Sequence, residues 1–370
     1  MSNPDAPVRT DTVAVRDGET VDASALLGWL SVQQPALVPA GATLDVRQYP
    51  SGFSNLTYLV TIQSPDGSRG FVLRRPPRGV KAGIAHDVIR EYRILDALAP
   101  LRVPVPQPIV ACDDARVIGA PFYLMAHVDG VILRGNAVRE LGEDSAARAA
   151  QLTALSQTFV ETLAQLHAVS VTTEPLASLG KPDGYVQRQV QGWTKRWVAA
   201  RTDEVPDLDQ VAQWLDAHRP PDRGAALIHN DFKFDNLVLD GSDISRVRAI
   251  LDWEMATIGD PLMDLGTSLA YWVEAGDAPI FRALGLGVTA HAGSLTRAEL
   301  VAAYAARSGR DVSDAPFYYA FGLFKVAVIA QQIYARSVQG LTADPRFAML
   351  GDVVRALGGA ANSAMLREVV

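Results

Sequence analysis

With one cysteine, Cys112, in 370 residues, the chain cannot form an internal disulfide, and a reducing compartment suits it. No apolar run reaches the roughly 20 residues that a membrane-spanning helix needs. Even the stretch 317–330 is interrupted by Lys325. Positive charge is in deficit, with 34 Lys plus Arg against 41 Asp plus Glu and a formal net charge of −7. With an isoelectric point near 5.4 and no polybasic block, the electrostatic footprint of a nucleic-acid binder is missing. Internal repeats with periods of 20 to 50 residues are also lacking, which excludes solenoids and propellers. Residues 1–22 are polar and acidic and lack the basic and apolar regions of a secretory signal. The expectation is a cytoplasmic protein without membrane or nucleic-acid partners, acting on small molecules, its oligomeric state left open.

What the chain does have is enough apolar sequence, 48%, for a sizeable core. A domain prior of about 150 residues allows one large two-lobed body. The character of the sequence changes once. Up to residue 128, short β segments at 44–48, 55–62 and 70–74 are separated by Pro and Gly punctuation, with a hairpin turn at 65–67. Val88, Tyr92, Leu95 and Leu98 recur at helical spacing over 86–98, and a further strand is predicted at 121–128. Beyond Gly130, helices are predicted at 146–169, 185–200, 207–217, 263–273, 297–307, 316–339 and 344–357. The domain reading is therefore 1–128, with 1–25 flexible, and 129–370.

A β island at 227–251 sits among these helices. Its leading strand delivers His229 and Asp231 into a loop that Asn236 closes, and a hairpin with an Asp240-Gly241 turn leads on to Asp252. Phosphoryl transfer requires such a set: a carboxylate to orient the acceptor hydroxyl and take its proton, and an amide with a second carboxylate to hold Mg²⁺ on the nucleotide phosphates.

His229-x-Asp231, Asn236 after four intervening residues and Asp252 beyond a short hairpin resemble the catalytic and metal loops of the protein-kinase-like fold. Asp252-Trp253-Glu254 and the following Gly259-Asp260-Pro261 through Asp264 narrow the resemblance to the aminoglycoside phosphotransferase family of small-molecule kinases. Within it, the chain is most similar to the kinase-like part fused to some acyl-CoA dehydrogenases. The resemblance implies an α+β, two-lobed protein-kinase-like fold with a β-rich N-lobe and a mainly helical C-lobe. It makes Asp231 the catalytic base with His229 beside it, Asn236 and Asp252 the Mg²⁺ ligands, and Asp264 a structural organiser of the loop. ATP is the implied nucleotide, with GTP as the alternative. Only eleven residues separate Asp252 from Asp264, too few for the activation loop of a protein kinase.

The same resemblance places nucleotide contacts upstream. Ser51, Gly52, Ser54 and Asn55 join two strands where a phosphate-covering loop belongs, although the full Gly-x-Gly-x-x-Gly is not there. Arg74 stands where the family usually has Lys, with Glu91 on the following helix to hold it; alternation along the strand leaves Arg74 and Arg75 both open, and the strand pattern favours Arg74. Ala126 and Val128 would present hinge backbone groups to the adenine edge. His127 has no second His or Cys at metal spacing and reads as an outward-facing residue.

For the acceptor the sequence is thinner. Arg188, Gln191 and Lys195 share a helix face, with Arg196 beside it. That stripe is either a solvated face or a receiver for a carboxylate, phosphate or coenzyme A-type group. It disfavours a polycationic aminoglycoside and fits a hydroxy acid or its acyl-CoA ester, with an aminoglycoside phosphotransferase and a nucleotide-binding pseudokinase as the alternative readings. Trp193, Trp197, Tyr271, Trp272 and the aromatic residues at 317–319 are candidates for an apolar pocket or for core, and Lys325 is expected either to reach the site or to snorkel to the surface.

Overall fold

The computed structural model describes residues 12–50, 55–65, 67–77, 87–135, 141, 144–283, 287–340, 347 and 349–370. In chain order the strands are β1 (Thr43–Gln48), β2 (Leu56–Ser64), β3 (Gly67–Arg75), β4 (Pro108–Cys112), β5 (Phe122–Ala126), β6 (Ala226–Ile228), β7 (Leu237–Leu239), β8 (Val247–Ile250) and β9 (Thr257–Gly259). The helices are α1 (Ala23–Gln33), α2 (Val88–Leu98), α3 (Ser145–His167), α4 (Tyr185–Ala200), α5 (Pro206–Ala217), α6 (Pro261–Tyr271), α7 (Pro279–Ala283), α8 (Arg297–Ser308), α9 (Ala315–Val338) and α10 (Leu350–Arg367). The chain divides into two compact units, residues 1–130 with 248–255, and residues 131–247 with 256–370.

The first unit is built on an antiparallel sheet of order β1-β2-β3-β5-β4. Leu56, Tyr58, Val60 and Ile62 alternate along β2, and Phe71 and Leu73 along β3, so one face of the sheet forms a core with Leu26 and Leu30 of α1. Period-two alternation therefore sends Arg75 to the core face with Phe71 and Leu73, and Arg74 to the opposite one. Arg75 is fully buried and donates to Glu19 O (2.7 Å) and Tyr58 Oη (3.0 Å).

Two elements of this unit lie outside the sequence expectations. Residues 12–25, read as flexible, are tied down: Val13 exchanges backbone hydrogen bonds with Gln48, and Asp22 caps α1 by accepting from the Ala25 N–H. Residues 1–11 of that stretch lie outside the described residues. β4 begins at Pro108, which reads as punctuation in the sequence but is tolerated because β4 is the edge strand.

The second unit is helical around the short β6·β9 pair. Its tightest crossing is between α6 and α9. A Cβ added to Gly266 would lie 2.1 Å from Tyr318 O, and one added to Gly322 would lie 2.1 Å from Gly266 O, so only glycine lets the two backbones approach this closely. α10 starts later than expected and runs on to Arg367. Gly358 does not stop it, because that glycine makes room for Leu208 of α5, whose Cγ would lie 3.1 Å from an added Cβ.

Candidate active site

Each unit carries a cluster of charged groups that includes a non-glycine residue with positive φ. Among the described residues, positive φ outside glycine occurs only at Asn230 (66°), Asp252 (65°) and Glu368 at the end of α10. Such conformations cost about 1–3 kcal/mol and persist where surrounding contacts impose them.

In the first unit the centre is Arg74. Its Nε stands 3.2 Å from Glu91 Oε2, and its Nη2 stands 3.0 Å from Asp252 Oδ1 and 3.4 Å from Glu254 Oε2. Asn55 Nδ2 donates to the same Glu254 oxygen at 2.9 Å. Glu91 reaches Arg74 because Val88, Glu91, Ile94, Leu95 and Leu98 form the buried stripe of α2, whose first turn Asp87 caps. Three carboxylates thus share one guanidinium. Burial, opposed by Arg74 and reinforced by Asp252, pushes Glu91 up to about 7. Burial also disfavours the Arg74 charge, but Glu91 and Asp252 outweigh it and hold its pKa above the ordinary value. The Asp252 side chain is one-third exposed, and among the described residues its Oδ2 has no partner. That oxygen is a donor of the kind a hard cation takes.

In the second unit β6 leads into His229, Asn230 and Asp231. Asp264, completely buried on α6, accepts the backbone N–H groups of His229 (2.6 Å) and Asn230 (2.7 Å). His167 of α3 donates from Nε2 to Asp264 (3.2 Å), while its Nδ1 accepts from the Tyr304 hydroxyl (2.7 Å). Burial alone would raise the Asp264 pKa, but the hydrogen bond from His167, and after it the surroundings at His229, hold it below the ordinary value. His229 Nδ1 accepts from the Asp231 N–H at 3.3 Å, so its imidazole buttresses the turn.

The Asp231 carboxylate is gripped by Lys233 Nζ at 3.0 and 2.8 Å and by Asn236 Nδ2 at 3.0 Å. Asn236 Nδ2 also donates to Asp231 O (2.8 Å), which leaves the amide oxygen of Asn236 for other ligands. Burial opposes ionisation of Asp231, yet Lys233, His229 and Lys325 outweigh it and depress its pKa. Lys233 lies over the Tyr271 ring (4.6 Å), and both line an open cleft with Phe234, Asp235, Ser268 and Trp272.

The structure thus brings together Asp231, His229, Asn236 and Asp264 in one unit, and Arg74, Glu91, Asn55 and Asp252 in the other. Ser51, Gly52 and Ser54 lie outside the described residues. The Ala126 N–H is taken by Gln107 O (2.8 Å), so only its carbonyl remains for a ligand; the Val128 backbone has no hydrogen-bond partner among the described residues. Arg188 and Lys195 lie on the exposed face of α4. The Arg188 guanidinium is spent on the carbonyls of Lys181 and Asp183, so it braces the loop before α4 instead of forming a receptor stripe. Trp193 and Trp197 are core.

His167 and Lys233 join these clusters without having been raised from the sequence; Glu254 stood there only within the Asp252-Trp253-Glu254 motif, and Lys325 takes the inward one of the two placements expected of it. Of the two residues not raised, Lys233, two residues from Asp231, had a local signal. His167 lies 97 residues from Asp264 and had none.

The model of the "Phosphotransferase enzyme family" matches residues 45–311. Acyl-CoA dehydrogenase family member 11 of Gallus gallus is 38% identical over 311 residues, covering 82% of this chain and 38% of that protein. The chain spans less than half the length of the curated relatives it matches. A solved Ralstonia eutropha structure, whose own designation as an aminoglycoside phosphotransferase is provisional, is 30% identical with a TM-score of 0.77, covering 94% of this chain and 99% of that one. Choline kinase from Cryptosporidium parvum, 12% identical with a TM-score of 0.59 and coverage of 94% and 97%, shares the kinase-like fold alone.

Proposed function

The chain belongs to the phosphotransferase enzyme family, and from that premise we propose that it transfers the γ-phosphate of ATP, with Mg²⁺, to a hydroxyl of a small molecule. The observation that supports this most is the Asp231 carboxylate, held ionised by Lys233 and Asn236 on a backbone turn that Asp264 fixes. A carboxylate with a depressed pKa is a weak base. Its task in this reading is to orient the acceptor hydroxyl and receive its proton late, as a loose phosphoryl-transfer transition state requires.

Mg²⁺ supplies charge neutralisation on the phosphates when bound. Asn236, through its amide oxygen, and Asp252, through its outward carboxylate oxygen, are the residues that would hold it. Arg74 carries the charge that faces phosphate, and Glu91 fixes its rotamer. Asn55 and the loop before it would cover the phosphates, while the Ala126 carbonyl and the Val128 backbone would read the base. GTP fits the same backbone groups as the alternative.

For the acceptor we favour a hydroxy acid or a hydroxyacyl-CoA ester. The cleft lining pairs one lysine and one aspartate with aromatic and aliphatic walls, whereas a polycationic aminoglycoside would draw on a carboxylate-rich pocket. The name borne by the relatives points the same way. Asp231→Asn is expected to keep nucleotide binding and to lose at least about a thousandfold in transfer rate. Full transfer in that variant would overturn the assignment. A panel of hydroxy acids, hydroxyacyl-CoA esters and aminoglycosides, read by acceptor-stimulated ADP release, separates the acceptor classes; turnover of aminoglycosides alone would reverse the preference.

A further inference from the structure

We infer that Lys325, on α9, is a positioning residue that holds the Asp231 loop from behind, and this rests on the reading of Asp231 as the residue that orients the acceptor. Lys325 is 2% exposed inside an apolar helix, and its Nζ donates to Asn230 O at 2.7 Å and to Thr267 Oγ1 at 3.4 Å. The Trp193 ring lies 5.8 Å from the same nitrogen. Among the described residues no carboxylate forms an ion pair with it, and this buried cation is met by a carbonyl, a hydroxyl and an aromatic face.

The contact falls on the residue that turns the chain. Asn230 has φ of 66°, its N–H is taken by Asp264 at 2.7 Å, and its carbonyl by Lys325. The left-handed residue that turns the chain into Asp231 is thus clamped on both backbone groups, by an anion from α6 and a cation from α9. Charge-assisted bonds of this kind are about twice as strong as neutral ones.

Lys325 reaches the loop because of the helix crossing. Gly322, one turn earlier on α9, lies against the Gly266 carbonyl, and Thr267 follows Gly266. Without that close approach the lysine would not reach Asn230. α9 begins at Ala315, beyond the residues 45–311 that the family model matches, so the clamp comes from a part of the chain outside that match.

Mg·ATP hydrolysis with water as acceptor is the probe, measured beside nucleotide affinity and thermal unfolding for Lys325→Met, Lys325→Arg and Asp231→Asn. Lys325→Met is expected to lower kcat about 10- to 100-fold, the usual cost of misplacing a reacting group by about 1 Å. KM and Kd for Mg·ATP should stay within about twofold. Lys325→Arg, which keeps charge and donors, should recover most of kcat. If Lys325→Met keeps the parent kcat while Asp231→Asn is inactive, the positioning role is overturned and the parent reading stands; an active Asp231→Asn overturns that reading instead. Parallel loss of folding and nucleotide affinity in both Lys325 variants would mark a purely structural lysine and also overturn the inference.

Discussion

Asp264 shows how much one buried carboxylate organises. Itself without exposure, it accepts from two successive backbone N–H groups and from His167, all of them buried. Asp264→Asn removes the charge while keeping the shape, and an expected loss of about 3 kcal/mol follows from weakening hydrogen bonds to a buried anion. Its folded pKa lies below the ordinary 3.8. The stabilisation is therefore fully present above that value and is lost as pH falls through the folded pKa. Denaturant titrations from pH 7 to pH 3 should show parent and variant converging only at the acid end. Glu91 behaves oppositely: with its pKa raised to about 7, ionising it in the folded state opposes folding, so its contribution falls as pH rises from its ordinary 4.5 to about 7. Glu91→Gln should flatten the stability profile across that window, as read by the same titrations. Asp264 was visible in the sequence as part of a motif. His167 was not, because nothing local marks a histidine whose partner lies on another helix.

Among the elements, β3 carries the clearest division of labour. Arg74 and Arg75 are chemically identical, and strand parity alone separates them: Arg75 joins the core with Tyr58, and Arg74 joins Glu91 and Asp252. Arg75→Met is expected to lower the melting temperature while sparing nucleotide affinity; Arg74→Met should weaken Mg·ATP binding at least tenfold with less effect on folding. Isothermal titration and thermal melts read the two. The α6·α9 crossing is the other decisive element. Gly322→Ala would drive a methyl into the Gly266 carbonyl, and overpacking of this kind costs about 1–3 kcal/mol or more. A drop in melting temperature of about 5 °C or more is expected. Helix α4 was legible to its last residue because its apolar positions recur at helical spacing, with Tyr185, Val186, Val190, Trp193 and Trp197 buried. α10 was not, since a glycine that stops a helix and one that lets it touch a neighbour look alike in sequence.

At the scale of the whole molecule, nucleotide binding to the folded state alone should stabilise it. At 100 times Kd, Mg·ATP is expected to add about 2.7 kcal/mol. Asp231→Asn should show the same shift in a thermal scan, and Arg74→Met, binding at least tenfold more weakly, at most about half of it. Composition excluded a disulfide within the chain, and among the described residues no helix is long and apolar enough to cross a membrane.

The sequence by itself determined the strand-rich start, the helical remainder and the motif from His229 to Asp264, because periodicity and motif spacing are local and survive in one dimension. Only the tertiary structure decided which arginine meets the carboxylates, that Arg188 braces a loop and that Lys325 turns inward to Asn230. Those outcomes depend on which face of an element is covered and by what. Residues far apart along the chain settle that, and no window of sequence contains them.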